Sequence, residues 1–129
     1  MKKVAKLVIV DKDKNYLLMY RSNHPVFGND PDLPGGTLEG SESTLETMIR
    51  EVQEEAGIII DNDAVKEIYS GVEYSAHDTF YALFITSVVN RPSISMSWEH
   101  ASYQWVSRDD FLAKAKNAND TYMHMVSDM

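Results

Sequence analysis

The chain contains no cysteine, which excludes disulfide bonds and metal sites built from thiolates. It also has no long hydrophobic run. The apolar stretch Val4–Val10 follows two lysines and is interrupted by Lys6, so it is too short and too charged for a signal peptide or a membrane span. We therefore expect a cytoplasmic protein without a membrane partner.

Positive charge is scarce as well. The 12 Lys and Arg residues are outnumbered by 20 Asp and Glu residues, and the formal net charge is −8. Binding of a nucleic acid polymer depends on clustered Lys and Arg, so no such polymer is expected as a partner. A small polyanionic substrate would need local help, either from a metal ion or from a few well-placed cations.

The remaining composition is that of one folded domain. The 129 residues are 43% hydrophobic and 25% charged, which is ordinary for globular proteins, and this length suits a single domain over residues 1–129. Apolar segments predict strands over Lys3–Val10, Tyr16–Tyr20, Val65–Tyr69, Val72–Tyr74 and Thr79–Val89. Strands on both sides of one well-formed helix, with a second helix predicted at Asp109–Lys116, indicate an α/β sandwich.

The central helix has clear signals at both ends. Ser43 and Glu46 have the spacing of a capping box, which predicts the helix start, and Gly57 predicts its end. Between them one apolar stripe recurs at helical spacing, formed by Leu45, Met48, Ile49, Val52 and Ala56. This stripe predicts the helix face that packs on the core.

Three glutamates share another face of the same helix. At about 100° per residue, Glu51, Glu54 and Glu55 fall within one arc of about 100° that borders the apolar stripe. Carboxylates placed there lose part of their hydration and repel one another, unless a cation compensates. Oxygen ligands without cysteine favour Mg²⁺ or Mn²⁺. A solvated, Glu-rich surface is the alternative interpretation of this run taken alone.

The spacing of these residues to the preceding glycines resembles the signature of the Nudix hydrolases. That signature is Gly, five residues, Glu, seven residues, Arg-Glu, an apolar residue, any residue, Glu-Glu, any residue, Gly and an apolar residue. All specified positions match between residues 36 and 58, and they are Gly36, Glu42, Arg50, Glu51, Val52, Glu54, Glu55, Gly57 and Ile58. The resemblance implies an α/β/α sandwich with a mixed sheet, in which these residues form a loop-helix-loop.

The resemblance also implies roles for individual residues. Glu51, Glu54 and Glu55 match metal ligands, the Gly35 carbonyl matches a backbone ligand, and Arg50 matches an arginine that orients the glutamates. Glu39 and Glu42 match acidic positions beside the site whose roles vary, and we treat both as candidates for substrate binding. The chain departs from the common pattern at Glu39-Gly40-Ser41-Glu42, where the glycine comes one position early, but no charged group is lost.

The family cleaves a nucleoside diphosphate linked to another group, by attack of water on phosphorus. The resemblance therefore implies a Mg²⁺- or Mn²⁺-dependent pyrophosphohydrolase with a small nucleotide as substrate. The catalytic base in this family is either a signature glutamate, here Glu51 or Glu54, or an acid on a later loop. Glu99 is the best loop candidate, with a plain surface acid as the alternative.

The substrate is less well defined by the sequence. Arg21 is a candidate for phosphate contact, or else pairs with an acid, and Phe27 is a candidate for stacking on a base, or else packs locally. Tyr74 lies at an offset that resembles the dinucleoside polyphosphate subgroup, whereas the proline typical of ADP-ribose cleavage is missing. A short chain without extra modules is most similar to the MutT-type branch, which hydrolyses nucleoside triphosphates.

The sequence leaves two alternative functions and the oligomeric state open. A nucleotide-sugar, ADP-ribose or dinucleoside polyphosphate hydrolase is the alternative enzyme, and a nucleotide-binding Nudix domain without turnover is the alternative of another class. Homodimers are common in the family, but the sequence shows none. His77, His100 and His124 are interpreted as surface or strand histidines, and none is needed as a metal ligand.

Overall fold

A computed structural model describes residues 1–74 and 78–129 of the chain. In these two ranges the strands are β1 (Lys3–Asp11), β2 (Asn15–Arg21), β3 (Pro31–Asp32), β4 (Gly35–Thr37), β5 (Val65–Gly71), β6 (Phe80–Val88) and β7 (His100–Ser107). The helices are α1 (Thr44–Ala56), α2 (Arg108–Lys116) and α3 (His124–Ser127), with 3₁₀ turns at Asn62–Ala64 and Thr121–Met123. None of these helices is long and apolar enough to cross a membrane.

The strands form one mixed sheet around β1. β1 pairs in parallel with β6, from Lys3 opposite Phe80 to Asp11 opposite Val88. On its other side β1 is antiparallel to β2 near the hairpin turn and to β4 at its beginning. β7 and β3 extend the sheet along β2, and β5 extends it along β6. The end of β4 therefore lies beside the first half of the central strand.

Helices cover both faces of the sheet. On one face α1 buries Met48, Val52 and Ala56 against alternate residues of β1 and β2. On the other face α2 and the C-terminal segment bury apolar side chains against the remaining residues of the same strands. β1 is covered on both sides, which is why its sequence is nearly continuously apolar instead of alternating. The predicted α/β/α sandwich with a mixed sheet is confirmed.

The predicted ends of α1 are also confirmed. The Ser43 hydroxyl accepts a hydrogen bond from the Glu46 N–H, and the Glu46 carboxylate accepts one from the Ser43 N–H. Gly57 ends the helix in the left-handed region, at φ 69°. The buried face is rotated slightly from the predicted stripe, because Thr47 and Glu55 are buried whereas Leu45 is only half-buried.

Two segments differ from the predictions or complete them. The predicted strand Val72–Tyr74 is wrong, since β5 ends at Gly71; the Tyr74 carbonyl and hydroxyl instead bond Thr121 and Asp128 in the C-terminal segment. That segment, for which the sequence predicts no element, buries Tyr122, Met123, Met125 and Val126 in the core. His77 lies outside the described residues.

Candidate active site

The site begins where β4 runs against the carboxylates of α1. The Gly35 N–H donates to the Glu55 carboxylate over 3.1 Å. A Cβ at Gly36 would lie 2.4 Å from the Glu51 carboxyl carbon, so only glycine leaves room for this side chain. The two glycines therefore let a backbone strand approach two neighbouring carboxylates closely.

Arg50 ties the acidic residues to one another. Its guanidinium donates to both oxygens of Glu42, at 2.7 and 2.9 Å, and to Glu51 and Glu54 at 2.8 and 3.2 Å. Glu39 lies at the edge of this cluster. Its carboxylate is 4.0 Å from the Arg50 guanidinium, and its side chain is largely exposed. The structure thus places the predicted orienting arginine in contact with two of the predicted metal ligands. It also makes Glu42 the main anchor of that arginine.

The turn before Glu42 is closed around a glycine. Gly40 has φ +56°, and the Glu42 N–H donates to the Glu39 carbonyl at 3.2 Å. A left-handed residue is needed at this position, and glycine adopts it without strain. The early glycine of this chain therefore supports a turn that delivers Glu42 to Arg50.

Glu99 lies on a separate loop, and its carboxyl shares a hydrogen bond with the Glu55 carboxyl of α1. The segment before it is bonded to the end of α1, since the N–H groups of Ser95 and Ser97 donate to the carbonyls of Ala56 and Glu55 at 2.9 and 3.0 Å. The Glu99 carbonyl in turn accepts from the Ser22 N–H at 2.9 Å. The structure therefore brings the predicted loop acid and the signature glutamates together.

The environment shifts the acidities of these groups in opposite directions. Burial raises the pKa of Glu55 to about 8, and hydrogen bonding with the Glu99 carboxyl contributes to the rise. Burial also raises the pKa of Glu51. The negative charges of Glu54 and Glu99 add to this rise, whereas the hydrogen bond and positive charge of Arg50 oppose it. The hydrogen bonds from Arg50 lower the pKa of Glu42 to about 2. Negative charge is therefore unfavourable at Glu51 and Glu55 and well compensated at Glu42.

A divalent cation fits the chemistry of this donor set. The donors are carboxylate and backbone oxygens, which Mg²⁺ and Mn²⁺ prefer, and the crowding of Glu51, Glu55 and Glu99 calls for a compensating positive charge. Within residues 1–74 and 78–129, no three acidic or histidine side chains already converge as a metal cage. Glu51 and Glu54 are instead bonded to the Arg50 guanidinium, at 2.8 and 3.2 Å.

A cleft of about 670 Å³ opens from the Gly35 and Glu55 side of this cluster. Its floor carries a buried ionic network centred on Asp32. The Asp32 carboxylate contacts Lys6 at 3.1 Å, His100 at 3.0 Å and Arg21 at 3.5 Å, and it accepts a hydrogen bond from the Tyr122 hydroxyl. Burial alone would raise the pKa of Asp32, but these partners together hold it well below its usual range.

Two of the four residues predicted to bind substrate, Arg21 and Phe27, line this cleft. Arg21 is bound to Asp120 at 2.9 Å as well as to Asp32, so it is paired with acids, and its exposed surface is small. The Phe27 ring is covered by Arg21 at 4.9 Å and stacks on His24 at 5.1 Å. By contrast, Glu39 and Glu42 are not among the described residues that line the cleft.

Sequence reasoning missed several residues of the cleft. Lys6, Asp32, Asp120 and Tyr122 belong to the ionic network, and Trp98 lies at the rim with 85% of its surface exposed. For Lys6 a signal exists, since a charge inside an otherwise apolar strand needs a buried partner. Asp32 and Tyr122 carry no comparable signal, because they are 90 positions apart and meet only through the fold.

Comparison with known proteins shows which family the chain is similar to. The model of the NUDIX domain matches residues 1–126. A putative 8-oxo-dGTP diphosphatase from Bacillus subtilis is 27% identical over 103 residues, which cover 80% of this chain and 64% of that protein. An ADP-ribose pyrophosphatase from Methanocaldococcus jannaschii is 39% identical over 62 residues, which cover 48% of this chain and 36% of that protein. The chain thus spans about a third to two thirds of the length of these curated relatives.

A solved structure extends the likeness over nearly the whole chain. The binary complex of a C. elegans Ap4A hydrolase superimposes with a TM-score of 0.72 at 25% identity. The match covers 95% of this chain and 92% of that one. The two chains therefore share the same fold.

Proposed function

The chain belongs to the NUDIX family, and on that premise we propose that it is a divalent-metal-dependent pyrophosphohydrolase of small nucleotides. Nucleoside and deoxynucleoside triphosphates are the proposed substrates, as in the MutT-type branch. The observation that carries this proposal is the meeting of Gly35 and Gly36 with Glu51, Glu55 and Glu99 at one end of a nucleotide-sized cleft. Pockets of this volume commonly hold one small-molecule ligand.

The proposed metal ligands are Glu51, Glu54, Glu55 and the Gly35 carbonyl, with Mg²⁺ or Mn²⁺ as the cation. A bound cation would neutralise phosphate oxygens and lower the pKa of a water molecule that attacks phosphorus. The chain itself fixes the geometry of the carboxylates. Arg50 holds Glu51 and Glu54 while Glu42 anchors Arg50 from the other side, so the helix side chains are limited in how far they turn.

We propose two candidates for the residue that takes the proton from the attacking water. Glu99 faces the signature glutamates from a loop that is bonded to the end of α1. Glu54 lies on α1 itself, and 58% of its side chain is exposed. A carboxylate in either position can act as a general base, and we assign this role to Glu99 because it lines the cleft.

The surroundings of Tyr74 remove one argument for a dinucleoside polyphosphate as the substrate. The Tyr74 hydroxyl bonds Asp128 at 2.6 Å, and its ring packs edge-on against Tyr69. These contacts hold Tyr74 at a separate apolar pocket, lined also by Ile68, Leu83 and Met125. Tyr74, whose position in the sequence resembles that of a tyrosine in the dinucleoside polyphosphate subgroup, therefore makes its contacts away from the cleft.

The test is release of pyrophosphate and phosphate from a panel of nucleotides, with Mg²⁺, with Mn²⁺ and with EDTA. The panel contains canonical and oxidised deoxynucleoside triphosphates, ADP-ribose, nucleotide sugars and dinucleoside polyphosphates. We expect metal-dependent release of pyrophosphate from the triphosphates. Turnover confined to another group would replace the proposed substrate. Nucleotide binding by folded protein without any turnover would indicate a binding domain instead of an enzyme.

The base assignment is tested separately with Glu99→Gln and Glu54→Gln. If Glu99 takes the proton, Glu99→Gln lowers kcat steeply while the affinity for Mn²⁺ changes little. A variant that loses Mn²⁺ affinity together with kcat identifies a metal ligand instead. Equal kcat for Glu99→Gln and the unaltered protein would overturn the assignment.

A further inference from the structure

Trp98 is the most exposed aromatic side chain among the described residues, and it lies at the rim of the cleft. A large apolar ring at 85% exposure is unusual in a folded domain, because burying such a ring in contact with protein is favourable. An exposed ring beside a cleft is therefore a candidate surface for a ligand.

The exposure of Trp98 does not come from a loosely held backbone. The residues on both sides are fixed, since the Ser97 N–H donates to the Glu55 carbonyl and the Glu99 carbonyl accepts from the Ser22 N–H. The turn is closed by the His100 N–H, which donates to the Ser97 carbonyl at 3.3 Å. The indole is thus presented to solvent by a turn that is bonded both to α1 and to the segment after β2.

The same turn brings Trp98 and Glu99 to the cleft that Glu55 also lines. The Glu99 carboxyl shares a hydrogen bond with Glu55. A ligand that places its phosphates beside Glu55 and extends along the cleft can therefore meet the Trp98 ring at the rim. In a nucleotide, the part that extends away from the phosphates ends in a planar heteroaromatic base.

The other aromatic ring at the rim is already engaged. Phe27 packs with the Arg21 guanidinium and with His24, and His24 Nδ1 accepts the N–H of Phe27 at 3.1 Å. These contacts hold the loop Ser22–Asp30 together and reduce the ring area that Phe27 offers to a ligand. Trp98 has no such packing role, as its exposure shows.

We propose that Trp98 stacks on the base of the bound nucleotide and so contributes to substrate affinity. This inference rests on the proposed function of the same cleft and assigns the aromatic contact to Trp98 instead of Phe27. Stacking on an indole tolerates any base, because every base has a π face. Trp98 therefore favours nucleotides over phosphate compounds without a base and discriminates little among the bases.

Steady-state kinetics with Mg²⁺ and a cleaved triphosphate test this role. For Trp98→Ala we expect KM to rise about 5- to 150-fold with little change in kcat, because stacking acts in both the ground state and the transition state. Trp98→Phe keeps a flat ring and should recover most of the affinity. Tyr103→Ala, which removes another exposed ring, is the matched control and should leave KM unchanged. An unchanged KM in Trp98→Ala would overturn the proposal.

Fluorescence provides a readout that does not depend on turnover. The chain has two tryptophans, so Trp105→Phe leaves Trp98 as the single reporter. We expect quenching with Mg²⁺ and an α,β-imido nucleoside triphosphate, which resists cleavage, and none with inorganic tripolyphosphate. Equal responses to both ligands would contradict stacking on the base. Failure of the unaltered protein to cleave any nucleotide would refute the proposed function, whereas an unresponsive Trp98 in an active enzyme refutes only this inference.

Discussion

Replacing Gly36 by alanine should displace the Glu51 carboxylate and leave the fold intact. The added Cβ would lie 2.4 Å from the Glu51 carboxyl carbon and 2.5 Å from one of its oxygens, whereas ordinary contact begins at 3.4 Å. The carboxylate must therefore move by about 1 Å, and a misplacement of this size in an active site costs on the order of 10²-fold in rate. The atoms that must move belong to a flexible side chain, so little stability should be lost.

The assay compares kcat with Mg²⁺ and the midpoint of thermal unfolding for Gly36→Ala and Gly35→Ala. At Gly35 the new Cβ would lie 2.0 Å from the backbone oxygen of Ala5, and φ is +142°, so the strands themselves must separate. We expect Gly36→Ala to be folded and nearly inactive, and Gly35→Ala to be severely destabilised. A fully active Gly36→Ala enzyme would refute the placement of Glu51 at the site, and an unfolded one would refute the local nature of the contact.

Three further outcomes follow from the same geometry. Glu54→Gln should lower metal-dependent turnover by orders of magnitude with an unchanged melting temperature; near-normal turnover would remove Glu54 from the metal site. Met48→Ala, at a fully buried position, should lower the free energy of unfolding by about 2–5 kcal/mol. Leu45→Ala, at a half-buried position, should lower it by less, and urea titration of both variants measures the difference. Because the pKa of Glu42 is lowered from 4.5 to about 2, its pairing with Arg50 stabilises the fold above pH 4.5, and this contribution is lost as the pH falls toward 2. Glu42→Gln should therefore show a shallower loss of stability between pH 5 and pH 3, and an unchanged slope would contradict the pairing.

The parts of the molecule that depend on local chemistry could be predicted from the sequence. The start and end of α1 depend on Ser43, Glu46 and Gly57, which act within one turn of the helix, and the structure confirms them. The rotation that places Glu51, Glu54 and Glu55 on one side of α1 is likewise a property of helix geometry. The burial of Glu55 could not be predicted from helix geometry. Glu55 is buried by β4, a strand 20 positions earlier in the sequence.

The parts that depend on distant pairing could not be predicted. The network around Asp32 draws Lys6, Arg21, His100 and Tyr122 from four separate segments, and no sequence spacing relates them. The error at Val72–Tyr74 has a similar cause. An apolar, aromatic segment favours a strand locally, but Tyr74 is held by the C-terminal segment.

The parallel pairing of β1 with β6 has a consequence for how the chain folds. Every residue pair in this ladder joins positions 77 apart in the sequence, so the central strand gains this neighbour only after most of the chain has been synthesised. Contacts of such long range slow folding, because the entropy of closing the loop is lost before the contacts form. Helix α1 and its glutamates lie inside that loop. Formation of the β1–β6 ladder should therefore be the rate-limiting event, and a refolding chain should acquire its helical signal before it acquires its affinity for Mn²⁺.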